Sequence, residues 1–235
     1  YEMAGDGGNF SWEKHGKDPY ANRQPRFYAT ILYNGADWMG RKIESFVGGK
    51  DGYKAYENAG AAGTTVTGYY LRKYLIDGDK TWVTRGSGQD WIVLRYAEVL
   101  LNKAEALAME NWNKNSAEAL QALNDVRARV GLPARATADK ETFLEYVRHE
   151  RKVELAGQGF RYWDLRRWRL AEKVIDGQNV HGVKISKQSD GSFTYEQVDA
   201  DGGHKRIFYD RYYRFAIPLS ERSNNSLCTN NDGWI

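Results

Sequence analysis

The run Trp91-Ile-Val-Leu-Arg-Tyr-Ala-Glu-Val-Leu-Leu-Asn-Lys-Ala-Glu-Ala-Leu-Ala108 decides the fold of this chain. Placed on a helix, Val93, Tyr96, Ala97, Leu100, Leu101, Ala104, Leu107 and Ala108 recur at i, i+3, i+4 and i+7 and form one wide apolar stripe. Arg95, Glu98, Asn102, Lys103 and Glu105 occupy the other face. Ala and Leu dominate and neither Gly nor Pro interrupts, so local propensity agrees with the pattern. Such a stripe needs a partner helix, and one follows directly. Asn115 or Ser116 can cap it, and Asn115 with Glu118 has capping-box spacing. Leu120, Leu123, Val126 and Val130 make its apolar side, and Gly131 and Pro133 end it. Two helices joined by a short polar turn over about forty residues predict an αα-hairpin of the tetratricopeptide kind.

Toward the C-terminus, a third helix is expected from about Ala138 to Ala156, capped by Thr137 or Asp139, with Phe143, Leu144, Val147 and Leu155 facing the core. Gly157 and Gly159 break the chain. A fourth helix then runs from about Arg161 to Ile175, with Tyr162, Trp163, Leu165 and Trp168 on its packed side. Glu150, Arg151 and Glu154 on one side of the break match Arg161, Asp164 and Arg167 on the other, which predicts a structural ion-pair cluster. From Asn179 the period changes. Val183 to Ser186 and Phe193 to Val198 alternate around Asp190-Gly191, a hairpin signal. Arg206 to Tyr209 and Tyr212 to Ile217 are candidate further strands.

Toward the N-terminus, residues 1–90 read as loop-rich, because Gly and Pro punctuate them and few segments are periodic. Arg26 to Tyr33 is β-branched and aromatic enough for a strand, ended by the turn pair Asn34-Gly35. So long an irregular segment is not expected to fold alone and should lie against the helices. The expected organisation is a loop-rich segment (1–90), a helical scaffold (91–176), and a β-hairpin with a C-terminal loop (177–235). The fold class is mainly α, α+β with minor strands.

Composition excludes several functions. Net charge is +3, from 34 basic and 31 acidic side chains, so no strong field favours nucleic acid. The single Cys228 rules out an internal disulfide framework. The first residue is Tyr, and no signal peptide or lipid-attachment motif precedes it, which reads as a fragment or a processed product. Phosphate-loop, dinucleotide-binding, nucleophile-elbow and zinc-helix motifs are absent. His15, His149, His181 and His204 lack ligand spacing, so no metal site is expected from them. Asp199, Asp201 and Asp210 fall at positions one, three and twelve of a calcium loop. Position six, which should be Gly, is His204, and a plain turn is the simpler reading.

Two carboxylates one turn apart, Glu150 and Glu154, invite comparison with a glycosidase pair. Neighbouring guanidinium groups would lower their pKa values and spoil a general acid, so they read as architecture, and no catalytic residue is assigned. The sharper hint is aromatic. The chain carries 8 Trp, 16 Tyr and 8 Phe, and Trp12, Trp38, Trp82, Tyr53, Tyr56 and Tyr70 sit among Asn, Asp, Gly and Arg. An indole face can cover the C–H face of a sugar ring while neighbouring polar groups bond its hydroxyls. Trp38 leads this set, with Asp37 and Arg41 beside it, and Trp12 and Trp82 follow. Trp163 and Trp168 are expected to be buried in the scaffold.

Three ordered stretches closely resemble the SusD/RagB family. They are Leu94-Arg-Tyr-Ala-Glu-Val-Leu-Leu-Asn-Lys-Ala-Glu-Ala, Leu123-Asn-Asp-Val-Arg-Ala-Arg-Val-Gly-Leu-Pro133, and His149-Glu-Arg-Lys-Val-Glu-Leu-Ala-Gly-Gln-Gly-Phe-Arg-Tyr-Trp-Asp-Leu-Arg-Arg-Trp168. Pro25-Arg-Phe-Tyr-Ala-Thr-Ile, Thr67-Gly-Tyr-Tyr-Leu-Arg-Lys73 and the ending from Arg214 to Trp234 are similar too. Two departures occur: Asn231-Asp-Gly stands where the family has Asn-Pro-Gly, and Ser226 follows Asn225 where Pro is common. The resemblance implies helix hairpins of the SusD/RagB fold and a non-catalytic nutrient-binding lipoprotein on the surface of the outer membrane. It implies a glycan ligand (a peptide in some members), a SusC-like TonB-dependent transporter as partner, and a lipid anchor outside this stretch of chain; no cofactor is expected, since no clear motif supports even a calcium ion. The rival classes are a protein-docking helical module, which needs an exposed apolar groove, and a glycosidase, which needs solvent-open carboxylates free of Arg.

Overall fold

The computed structural model describes residues 1–5, 7–52, 65–79 and 88–234. Tyr96–Ala128 (α3) is helical apart from Asn111, whose extended backbone (φ −160°, ψ 96°) folds the run back on itself. Lys103 and Glu118 meet across the two arms at 2.7 Å, so the αα-hairpin forms with a single residue as its connection. Asn111, not Asn115 or Ser116, caps the second arm: its Oδ1 accepts the Lys114 N–H at 3.2 Å. Asn115 instead donates to the Leu107 carbonyl and to Glu110, tying the arms together at the bend.

The first arm begins at Tyr96, later than the apolar period suggests. Arg95 is extended, and its guanidinium reaches Glu154 at 2.7 Å and Gln158 at 2.8 Å, which fixes the entry to the helix. Val93 and Tyr96 are therefore not part of the buried stripe and stay 81% and 73% exposed. The rest of the pattern packs as expected. Leu101, Ala104, Ala108, Ala119, Ala122, Leu123 and Val126 are buried against Phe143, Leu144 and Val147 of Lys140–Glu154 (α4). Asp139 caps α4 through the Thr142 N–H at 2.7 Å.

After the Gly157–Gly159 break come Phe160–Arg167 (α5) and Ala171–Ile175 (α6). They are separate helices because Arg169 adopts φ 56°, and the Leu170 N–H closes the first by donating to the Leu165 carbonyl. His181–Lys187 (β5) and Phe193–Asp199 (β6) pair antiparallel, with Ile185 opposite Tyr195. The expected strands at Arg206 to Tyr209 and Tyr212 to Ile217 do not form. Asp210–Tyr213 is a 3-10 turn that wraps Tyr212 and Tyr213 around the buried Phe208. Leu219–Asn224 (α7) follows.

The N-terminal part holds Trp12–His15 (α1), Pro25–Thr30 (α2) and two short strand pairings. Most of the stretch expected as one strand is α2, because Pro25 at its first position presets a helical φ. Only Ile31–Leu32 (β1) stays extended, and it pairs with Tyr70–Leu71 (β4). The hairpin β5–β6 packs on this region: Val183 and Ile185 join Tyr20 and Phe27 in one core. Gly182 permits the approach, since a Cβ there would lie 2.7 Å from the Thr67 Cα.

Charge, more than apolar contact, ties the N-terminal part to the helices. Arg26 on α2 donates to Glu150 and, at 2.9 Å, to Glu154, with all three side chains at most 8% exposed. Arg127 takes the other Glu150 oxygen at 2.9 Å and also reaches Glu2. Glu154 accepts from Arg95 and Arg129 as well. Burial opposes ionisation of Glu154, but the Arg95 and Arg26 hydrogen bonds outweigh it and lower its pKa. Burial likewise opposes ionisation of Glu2, yet His149 and Arg127 hold its carboxyl down at about 2. Lys73 donates at 3.0 Å to the Glu154 and Ala156 carbonyls and to Gln158, closing the C-terminus of α4.

The expected ion-pair cluster is thus two clusters. Glu150 and Glu154 pair with Arg26, Arg95, Arg127 and Arg129, not with α5. Arg151 pairs with Asp164 at 2.9 Å, Asp164 with Arg167 at 2.9 Å, and Arg167 with Glu105. Arg161 forms no ion pair among the described residues: both oxygens of Asp164, one turn along the same face, are taken by Arg151 and Arg167. Removing Arg26 takes one buried hydrogen-bond donor from each of two carboxylates that keep other arginines, so Arg26→Ala should lower the unfolding free energy by about 1.5–3 kcal/mol, whereas Arg161→Ala should cost under about 1 kcal/mol. Urea titration of both variants checks the order. A second expectation concerns acid. In the unfolded chain Glu2 titrates near 4.5 and in the folded protein at about 2, so its contribution is complete above the first value and fades as pH falls toward the second. That contribution is about 3 kcal/mol. Urea midpoints should therefore fall steeply below about pH 4.5, and Glu2→Gln should flatten the fall.

Candidate functional site

Asp37–Trp38 (β2) and Arg41–Lys42 (β3) form a tight hairpin. Its turn residues Met39 (φ 54°) and Gly40 (φ 76°) are both left-handed, the geometry that matches strand twist in a two-residue loop. The conformation is costly for Met, and outside contacts hold it. The Met39 N–H donates to Asp77 Oδ1 at 2.7 Å, and the Gly78 N–H donates to Met39 Sδ at 3.0 Å. The loop 75–79 is thereby pinned to the hairpin tip.

Between hairpin and loop lies a cavity of about 530 Å³, within the usual range for small-ligand sites. The register pairs Trp38 with Arg41, so both side chains fall on one face of the hairpin and line the cavity. Leu32 and Ile43 form its floor, buried in a small core on which Trp38 and Tyr70 pack. Leu75 and Ile76 line it from the loop, and Arg72 lies over the Trp38 ring at 5.7 Å.

The polar wall is a bidentate pair. Arg41 donates to both Asp51 oxygens at 2.6 and 2.7 Å, and the Glu44 N–H donates to the same carboxylate at 2.9 Å. The Arg41 hydrogen bonds hold the Asp51 carboxyl below its usual pKa against the opposing effect of burial, and Asp51 raises that of Arg41. The Tyr70 hydroxyl donates to the Asp51 carbonyl at 2.7 Å and accepts the Thr65 N–H at 3.1 Å. An aromatic plane, an aliphatic floor and a fixed ion pair can hold a ring with one apolar face.

Trp38, Arg41 and Tyr70 of the expected aromatic and polar set come together here. Asp37 does not: one residue earlier on the strand, it points to the opposite face and pairs with Lys42 at 2.8 Å in solvent. The acid beside Arg41 is Asp51, which lies ten residues downstream where no local spacing indicates it. Trp12 lines a separate groove of about 300 Å³ with Phe10, Tyr69 and His181. Trp82, Tyr53 and Tyr56 lie outside the described residues. Trp163, expected to be buried, is 55% exposed beside Phe215, because α5 turns Asp164 and Leu165 inward and leaves Tyr162 and Trp163 outside. Trp168 is half-buried and donates to Glu105 at 2.7 Å.

The aspartates of the calcium-like spacing are engaged elsewhere. Asp199 accepts from Asn179 and lies 3.0 Å from His181, Asp201 accepts the Val180 N–H, and Asp210 lies 3.9 Å from Arg169. Among the described residues, no group of three or more His, Cys, Asp or Glu could hold a metal ion, and no helix is long and apolar enough to cross a membrane.

The SusD family profile matches residues 5–234. A SusD-like protein of Formosa agariphila is 32% identical over 133 residues, 52% of this chain and 25% of its own length. A SusD-like protein of Bacteroides fragilis superposes with a TM-score of 0.81 at 27% identity, covering all of this chain and 45% of that one. A SusD-like carbohydrate-binding protein of the same organism gives 0.76 at 29% identity, covering 96% and 46%. The chain therefore spans less than half the length of these relatives.

The hairpin–loop pin makes a local expectation. Asp77→Ala should speed amide exchange at Met39 by roughly tenfold, with little change in the global unfolding midpoint, since the lost bond is at the surface. Hydrogen–deuterium exchange across residues 37–42 measures it, and unchanged protection would show that the loop does not hold the turn.

Proposed function

Because the chain belongs to the SusD family, we propose that it takes part in capturing oligosaccharides at the bacterial surface without transforming them. In this reading the protein is held at the outer membrane by a lipid anchor and passes its ligand to a SusC-like TonB-dependent transporter. The observation that carries the reading is the cavity walled by Trp38. A pyranose ring laid on the indole covers its C–H face, and Arg41, Asp51 and Lys50 stand at the rim for hydroxyl contacts. The B. fragilis relative described as carbohydrate-binding supports the ligand class.

The carboxylates speak for binding without catalysis. Glu150, Glu154 and Asp164 are buried among arginines, and Asp51 is held ionised by Arg41. A general acid must keep its proton near neutral pH, which guanidinium contact prevents. No cofactor or calcium ion enters this account.

One observation favours a second reading, a helix hairpin that docks protein. Val93, Leu94 and Tyr96 are exposed beside a concavity of about 420 Å³ between the arms of α3. A protein ligand seated there would leave Trp38 without a role, so the same variant separates the two. A glycan array on the full-length protein identifies the ligand, and calorimetric titration with the strongest hit follows. Trp38→Ala should weaken binding about tenfold or more, roughly 1–3 kcal/mol, without lowering the unfolding midpoint, whereas Trp12→Ala should bind like wild type. Wild-type affinity in Trp38→Ala would remove the site from this cavity.

A further inference from the structure

The cavity beside Trp38 is lined unevenly for a ligand made only of hydroxylated rings. Its two aromatic side chains, Trp38 and Tyr70, stand among Leu32, Ile43, Leu75 and Ile76. Leu32 and Ile43 are about 5% exposed at its floor, while Leu75 and Ile76, which line it from the loop, are about half exposed. Aliphatic walls of this kind offer a sugar hydroxyl no partner, and a hydroxyl moved there from water loses its hydrogen bonds.

Much of the hydrogen-bonding capacity that does reach the cavity is already in use. Both Asp51 carboxylate oxygens accept from Arg41, and one also accepts the Glu44 N–H. Arg41 also donates to the Lys42 carbonyl. The Tyr70 hydroxyl has its proton on the Asp51 carbonyl and its lone pair on the Thr65 N–H. These bonds hold the wall rigid and leave it few directions in which to meet hydroxyls. Apart from the exposed Lys50 at the rim, what the wall offers is apolar surface beside an indole plane.

We propose that the Trp38 cavity selects glycans that carry apolar substituents: the methyl group of a 6-deoxy sugar, or an acetyl ester on a ring hydroxyl. The ring lies on Trp38, and the substituent enters the gap between Leu32 and Ile43 on one side and Leu75 and Ile76 on the other. This rests on the glycan-binding reading given above and adds the class of glycan to it. One methyl group transferred from water into an apolar pocket strengthens binding about tenfold, which sets the size of the expected preference.

The test uses the full-length protein and matched pairs of oligosaccharides. In one arm each pair is an O-acetylated oligosaccharide and its alkali-deacetylated product. In the other it is a 6-deoxyhexose glycan and its 6-hydroxy counterpart. The substituted member of a pair should bind at least about tenfold more tightly by calorimetric titration, in whichever arm supplies the natural substituent. Leu75→Ser combined with Ile76→Ser should reduce that ratio below about threefold, and both positions are exposed enough for the variant to fold. Ile76→Ser alone provides a milder version of the same measurement. Equal or weaker binding of the substituted members in both arms overturns this inference while leaving glycan binding intact. A preference that survives both serine variants overturns it too, by placing selection elsewhere. Failure of every glycan to bind overturns this inference and the proposed function together.

Discussion

The structure depends on placing Arg26 between Glu150 and Glu154 in a site closed to water. A guanidinium there without partners would leave uncompensated charge in a medium that solvates it poorly, and the two carboxylates without Arg26 would lose the one cation they share. The pair therefore specifies a geometry as well as contributing to stability. It obliges α2, near the start of the chain, to sit at one place on α4, more than a hundred residues later. Glu2 with Arg127 and Lys73 with the end of α4 repeat the arrangement. In each case a segment of the N-terminal part is fixed to a helix of the scaffold by a charged group that needs its partner.

That anchoring bears on function through a short chain of contacts. The end of α2 runs straight into β1, and the Arg72 N–H donates to the Thr30 carbonyl at 2.7 Å, holding β4 beside it. Leu32 on β1 and Tyr70 on β4 are paired residues of this small sheet, and both line the cavity. Hairpin β2–β3 adds Trp38 and Arg41, and Asp51 locks Arg41 in place. A cavity built from loops thus gains the rigidity of the helical scaffold under it, which limits the ordering cost that binding must meet.

The helices were largely legible in the sequence because burial there follows a period. Leu101, Ala104, Ala108, Leu123, Val126, Phe143, Leu144 and Val147 are core residues by spacing alone, and they are core residues in the fold. The β5–β6 hairpin was legible for the same reason, with Asp190-Gly191 as its turn. Errors came where a longer-range contact overrode local preference. The apolar run starting at Trp91 stays non-helical up to Arg95 because that side chain is drawn to Glu154. Arg26 to Tyr33 has strand-like composition, yet Pro25 and the burial of Arg26 favour a helical turn. Arginine spacing on α5 suggested partners for Glu150 and Glu154, but their partners are four arginines from three other segments, a pairing no local period can show.

The candidate site was legible in part. Aromatic rings among polar loop residues pointed to Trp38 and Tyr70, and Arg41 followed from proximity. Asp37 was misplaced because neighbours on a strand face opposite ways, and a strand only two residues long leaves no alternation to read. Asp51, Leu75 and Ile76 reach the cavity only through the folded path of the loops. Trp163 looked like core because it sits in a bulky helical run, but α5 is short and buries only the side carrying Asp164 and Leu165.

The central claim is that loops pinned to a charged helical core form a sugar-binding cavity against Trp38. The measurement that tests it most directly is a crystal structure of the full-length protein with the oligosaccharide that ranks first on a glycan array. The account predicts a sugar ring stacked on the Trp38 indole between Tyr70 and the loop 75–79, with the Arg41–Asp51 pair intact at its edge. A bound oligosaccharide resting instead on Trp12 or Trp163, with the Trp38 cavity empty of sugar, would contradict it.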